Sequence, residues 1–185
     1  GLGDVYKRQV YTSKEYFLAK RKEQKDRHEK YSGTEYNLEP NLKSSPGTLR
    51  DIQTLAWITK RHFGPLEPTI RSRFHFLTDD EFDMLLKGEA FLCRLRYGLQ
   101  MIANRNENRL LFEHQRKLAS ILGFKDNPKK LAVEQMMQQY FRMVLGLGEL
   151  TDVILQYFDE FYLSPEHNQE IQKLNKRFQL NNGYI

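Results

Sequence analysis

The chain has 185 residues, a formal net charge of +5 and a single cysteine. That length can bury a core as one or two compact units, one cysteine excludes a disulfide framework or a cysteine-built metal cluster, and no run of about 18 apolar residues offers a membrane span. The aromatic residues are scattered or core-spaced and no RNP, zinc-finger or glycine-arginine pattern occurs, so nucleic acid is not an expected partner; without a signal-peptide pattern, the expected location is the cytoplasm.

Helix dominates the pattern. Ser13 is the expected cap of a helix to about Tyr31, rich in Lys14, Lys20, Arg21, Lys22, Lys25, Arg27 and Lys30. Interleaved Glu15, Glu23, Asp26 and Glu29 can pair with these at i,i+3 and i,i+4, so the helix reads as a solvated mixed-charge face or as a basic face toward a nucleotide or acidic partner. Ser32-Gly33 ends it, and Tyr36, Leu38 and Leu42 suggest a strand over about 34–42. Pro46-Gly47 breaks that strand, and Leu49, Ile52, Leu55 and Ile58 predict a helix over about 48–63, stopped by Gly64-Pro65. Residues 65–77 read as a basic connector.

Thr78-Asp-Asp-Glu81 is a capping box opening a helix to about Asn104, with Phe82, Leu85, Leu92, Leu95, Leu99 and Ile102 as its buried stripe. Cys93 lies inside this apolar pattern and is expected to be a buried thiol. A shorter helix follows over about 113–122, closed by Gly123. Pro128 is expected to open a long helix to about Leu163, with Met136, Met137, Tyr140, Val144, Leu147, Ile154 and Phe158 on its apolar face, and Gly146 and Gly148 as sites of a bend or of close packing. His62 and His114 read as packed or surface histidines. Ser164-Pro165 ends the helix, 165–177 is a polar linker, and 178–185 is extended. The expected fold is mainly α, a helical bundle.

The stretch from Tyr36 to Thr54 carries the most chemistry. It places Glu39, Lys43, Ser44, Ser45 and a Pro-Gly turn immediately before a helix. A turn with free N–H groups at a helix start favours anions, and Lys43, Ser44 and Ser45 would add donors for a phosphate. The same residues also suit an ordinary loop whose serines satisfy backbone groups.

Asn37-Leu-Glu-Pro-Asn-Leu-Lys-Ser-Ser-Pro-Gly47, Leu49-Arg-Asp-Ile52, Trp57 and Lys60-Arg-His-Phe-Gly64 resemble the bifunctional protein-PII uridylyltransferase / uridylyl-removing enzymes of bacterial nitrogen signalling. Phe76-Leu-Thr78, Leu95-Arg96, Asn108-Arg-Leu-Leu-Phe112 with Gln115, Met136-Met137, Tyr140-Phe-Arg142 and Phe178-Gln-Leu180 continue the resemblance in order, over roughly Val10 to Leu180. The family usually has a second glycine after Gly47, where this chain has Thr48, which can serve as an N-cap. Residues 1–9 do not share the resemblance and are read as a non-native leader or artefact. The resemblance implies that 10–47 hold the last helix and strand of a polymerase-β-like nucleotidyltransferase domain. It further implies a helical domain over 48–163, and a linker over 164–185 toward a phosphohydrolase domain.

It also implies transfer of UMP from UTP to a tyrosine of the PII protein, with Mg2+ in the full-length enzyme. Yet the family's Gly-Ser and Asp-x-Asp motifs are absent, and none of the five histidines is followed by aspartate. The chain is therefore expected to be inactive alone. On the resemblance, Glu39 is the candidate third carboxylate, catalytic and metal-holding, and Lys43, Ser44, Ser45, Arg50 and Arg109 are candidate nucleotide-binding residues. Asn108 is a candidate cap for the helix near Glu113. The alternatives are a non-catalytic helical interaction module or an adenylyltransferase relative.

Overall fold

A computed structural model describes residues 12–31, 37–64, 70–163, 171–173 and 179–181. Its helices are α1 (Ser13–Lys30), α2 (Leu49–Phe63), the single-turn α3 (Ile70–Arg73), α4 (Asp79–Ala103), α5 (Phe112–Ile121) and α6 (Ala132–Leu163). Two short strands, β1 (Ile171–Lys173) and β2 (Gln179–Asn181), pair antiparallel. The mainly helical bundle is as the periodicity implies. The leader 1–9, the start of the expected strand at 34–36 and most of the tail lie outside the described residues.

Long α6 is the element on which the others pack: α1, α2, α4 and α5 all touch it, while α2 also packs on α1 and α4. Its buried face carries Met136, Tyr140, Val144, Leu147, Leu150, Ile154, Leu155 and Phe158. These meet Leu55 and Ile58 of α2, Leu92, Leu95 and Leu99 of α4, and Leu118 of α5 in one core. Each fully buried leucine contributes about 1.5–3 kcal/mol by leaving water. Two glycines allow the close approaches. A Cβ on Gly88 would sit 2.7 Å from Leu147 Cδ1, and one on Gly47 would collide with the Val144 carbonyl oxygen. Gly47 also has φ +72°, a conformation that side-chain-bearing residues rarely adopt.

Several boundaries differ from the sequence reading. Thr12, not Ser13, caps α1: its hydroxyl accepts the Glu15 N–H and Glu15 returns a bond to the Thr12 N–H. The expected box at Thr78 and Glu81 forms in the same way. Pro128 does not open α6. Residues 127–130 close a tight turn through paired Asn127 and Lys130 backbone bonds, and the helix starts at Ala132. Helix α6 runs through Gly146 and Gly148 without a break, and of the two readings it is close packing that holds at Gly146, where an added Cβ would sit 3.2 Å from Met84 Sδ. The tail over 165–177 contains β1 rather than being linker throughout. Cys93 is exposed, because it lies one residue, about 100°, past the buried Leu92 on α4.

At one end of α6 an aromatic cluster surrounds His62. Its Nδ1 lies 2.7 Å from the Tyr162 hydroxyl, and its ring meets Phe63, Phe158 and Phe161 edge-on. Burial, helped by the nearby His75, lowers the His62 pKa. His62 is thus packed, as expected.

Candidate functional site

The strand expected before Pro46 does not form over 37–42. Proline 40 lacks an N–H, and the segment instead makes one isolated bridge, Asn41 opposite Arg109. Leu42 N–H donates to the Asn108 carbonyl and Leu110 N–H to the Pro40 carbonyl, both at 2.8 Å. Gln115 Nε2 donates to the Leu38 carbonyl at 2.6 Å and to the Leu110 carbonyl at 3.0 Å. The loop 37–48 is thereby stitched to the segment leading into α5.

Glu39 sits in this seam. Its carboxylate accepts Arg109 Nη2 at 3.2 Å and the Phe112 N–H at 2.9 Å. The second bond satisfies a first-turn donor of α5, a capping role performed from 73 residues away. The expectation that Asn108 caps this helix does not hold: Leu111 is at the N-cap position without a side-chain bond, and Asn108 Oδ1 accepts Arg96 Nε at 2.7 Å. Among the described residues no group of three or more His, Cys, Asp or Glu side chains gathers that could hold a metal ion. Glu39 thus stands without acidic companions among the described residues, each of its carboxylate oxygens accepting one hydrogen bond.

The turn itself differs from an open anion nest. Asn41 Oδ1 accepts the N–H groups of Lys43 and Ser44 at 3.0 and 2.9 Å. The Ser45 N–H donates to the Asn41 carbonyl, and the buried Ser45 hydroxyl accepts the Asn41 N–H at 3.2 Å. Thr48 occupies the N-cap position of α2, but it is buried and its hydroxyl turns back to the Ser45 carbonyl without capping. Asp51, in the first turn of α2, accepts the Gly47 N–H at 2.8 Å instead. The local amide donors are thus engaged inside the loop. An anion here would be met by side chains.

Two of the sequence candidates are open for that. Lys43 and Arg50 are joined through the Arg50 N–H to the Lys43 carbonyl at 2.8 Å. Neither side chain has an ion-pair partner among the described residues. The Arg50 guanidinium lies 5.7 Å from the centre of the Trp57 ring, whose other cation neighbour is Lys20 Nζ at 4.6 Å. Ser44 is half-buried beside Lys43. Lys43, Ser44 and Arg50 therefore share one edge, while Arg109 is paired with Glu39 farther along the seam and Ser45 is internal.

Beneath this loop lies a hub that the sequence shows only as the Asp of the Leu49-Arg-Asp-Ile52 string, without its partners. Asp51 is 1% exposed and accepts from Arg27 Nη2, from His28 Nε2 at 2.9 Å and from the Gly47 N–H. Because a carboxylate only accepts, His28 Nε2 carries the donated proton. Burial works to raise the Asp51 carboxyl, but the hydrogen bond and charge of His28, the Arg27 guanidinium and the Gly47 N–H together hold it below its ordinary value. The available signal was an acid in the first helical turn after a Pro-Gly turn. Its partners, 24 and 23 residues upstream, carry no local signature.

Comparison with known proteins is consistent across the chain. Residues 15–155 match the GlnD PII-uridylyltransferase family. The chain is 53% identical over 176 residues to a bifunctional uridylyltransferase/uridylyl-removing enzyme of Pseudomonas aeruginosa PAO1, covering 95% of this chain and 20% of that protein. Enzymes of the same description from Pseudomonas fluorescens SBW25 and Stutzerimonas stutzeri A1501 are 49% and 50% identical, over 95% and 96% of this chain and 20% of each relative. The chain thus spans about a fifth of the length of these curated relatives. No solved structure matches it. The chain belongs to the PII-uridylyltransferase family.

Proposed function

We propose that these residues form the central helical segment of a cytoplasmic enzyme that transfers UMP from UTP to a tyrosine of the PII signalling protein and removes it by hydrolysis. In this reading, the chemistry belongs to parts of a longer polypeptide, because the transfer and hydrolysis motifs are missing here. The segment contributes the edge formed by Lys43, Ser44 and Arg50, where two cations neutralise phosphate charge as the nucleotide is held. The observation that carries this is the pair of side chains Lys43, on the loop, and Arg50, at the start of α2, neither with an ion-pair partner among the described residues, beside a loop whose backbone N–H groups at Lys43, Ser44 and Gly47 are internally bonded. Glu39 and Arg109 act as positioning residues that fix the loop against α5.

The test uses the Pseudomonas aeruginosa relative carrying this chain in place of its matching segment. Replacing Lys43 and Arg50 together by alanine should raise the KM for UTP by about tenfold or more, by loss of charge-assisted contacts. An unchanged KM for UTP would overturn the phosphate role. Glu39→Gln keeps an acceptor for the Phe112 N–H, so transfer should stay within about threefold of wild type. A loss of about a hundredfold or more would instead restore Glu39 to the reacting centre.

A further inference from the structure

Asp51 is too deeply buried to meet a nucleotide, yet it fixes the backbone that carries both cations of the proposed edge. Its Oδ2 accepts the Gly47 N–H at 2.8 Å, and one residue earlier the Arg50 N–H closes on the Lys43 carbonyl at 2.8 Å. Gly47 also lies against α6, since a Cβ there would collide with the Val144 carbonyl oxygen. The turn is thus clamped between α6 and the Asp51 carboxylate.

The carboxylate is held in turn by α1. Arg27 Nη2 and His28 Nε2 bond it from consecutive positions. A second link joins the same two helices: Lys20 Nζ of α1 and the Arg50 guanidinium lie 4.6 and 5.7 Å from the centre of the Trp57 ring. Lys20 and Arg27 are seven residues apart and share one face of α1. Helix α1 therefore meets α2 at Asp51 and at Trp57, and Arg50 adjoins both contacts.

Packing alone would not select this polar joint. On α1 only Phe17 and Gln24 are buried, and the buried Gln24 Nε2 and Arg27 Nε have no hydrogen-bond partner among the described residues. Each orphaned donor costs stability, whereas apolar residues of similar volume often replace a buried ion pair without loss. What the joint supplies instead is direction: three donors converging on one carboxylate define a single placement of the turn.

We infer that Asp51, pinned by Arg27 and His28, is a positioning residue for the nucleotide. It sets Lys43 and Arg50 at the spacing that receives the phosphates and makes α1 the reference for that spacing. This rests on the functional reading above and deepens it. Asp51 acts through the two cations, not on the ligand.

The same chimaeric enzyme tests it, assayed at a temperature where circular dichroism shows every variant folded. Asp51→Asn turns an amide N–H2 toward donors where an acceptor oxygen stood. It should raise the KM for UTP about fivefold or more and leave kcat within about threefold of wild type. In the Lys43→Ala, Arg50→Ala background the same substitution should change the KM by less than about twofold, because the groups it acts through are gone. His28→Ala should raise the KM in the same direction, and His28→Gln, which keeps an N–H donor, should restore it. A merely structural role gives a lower melting temperature with an unchanged KM for UTP, or an equal fold-change in both backgrounds; either result overturns the positioning role. Should Asp51→Asn not fold, the His28 pair decides, and a KM equal to wild type in His28→Ala overturns it. An unchanged KM in the Lys43, Arg50 double variant overturns the functional reading, and this inference with it.

Discussion

The loop 37–51 and the open groove of about 790 Å³ between α4 and α6, lined by Met84, Gln139, Arg142 and Met143 among others, are built in opposite ways. In the loop nearly every local amide and carboxylate has a partner, and Asp51 alone gathers bonds from α1 and the Gly47 turn. In the groove, the exposed Arg142 guanidinium and Gln139 amide have no side-chain partner among the described residues. Internally bonded polar groups fix geometry; open ones are available to a ligand. The contrast assigns rigidity to the loop, with only Lys43 and Arg50 left over, and adaptability to the groove.

The largest expected effect is at the hub. Asp51→Asn leaves the nearly buried Arg27 without its counter-charge and should cost about 3 kcal/mol, read as roughly 10 °C in melting temperature. A loss below about 1 kcal/mol would show the loop is held by packing alone. Because the folded Asp51 pKa lies below its unfolded value of about 3.9, its stabilisation is present above that pH and is lost as pH falls through the folded value. Acid titration of the wild type should therefore show a destabilisation below about pH 4 that the asparagine variant lacks.

Next comes Gly47→Ala. The positive φ and the contact with the Val144 carbonyl should together cost about 2–3 kcal/mol. Gly148→Ala, where an added Cβ meets nothing within 4 Å, should stabilise α6 by up to about 1 kcal/mol. Equal effects at the two glycines, measured by denaturant unfolding, would remove the close approach from the account.

A smaller effect belongs to His62. Its folded pKa is depressed by burial and by His75, so the stabilisation it brings is present above its unfolded value of about 6.5 and is lost as pH falls. The melting temperature should drop by about 1–3 °C between pH 7.5 and 5.5, after allowing for solvent screening of a half-exposed ring. His62→Gln should flatten that slope.

Local patterns made much of the bundle legible. The stripe Leu85, Leu92, Leu95 and Leu99 and the box Thr78–Glu81 lie within α4 and obey its 3.6-residue period, and both formed as expected. The candidate edge was legible in part. Lys43, Ser44 and Arg50 come together because they are near in sequence, whereas the N–H groups expected to be free are occupied by Asn41 and Asp51. The Glu39–Arg109 pair spans 70 residues and the Asp51–Arg27 pair 24, and neither separation leaves a periodic trace. Cys93 shows the same limit at short range, since one position on a helix separates core from solvent.

The amino-acid sequence by itself determined the helical class, the helix capping at Thr78 and the family, because propensity, periodicity and uncommon strings are local properties of a chain. Only the tertiary structure decided which charges are matched and which stand open, since burial and pairing depend on neighbours brought from distant positions. That is why Asp51 and Glu39 emerge as fasteners only when α1, α2 and α5 are seen together.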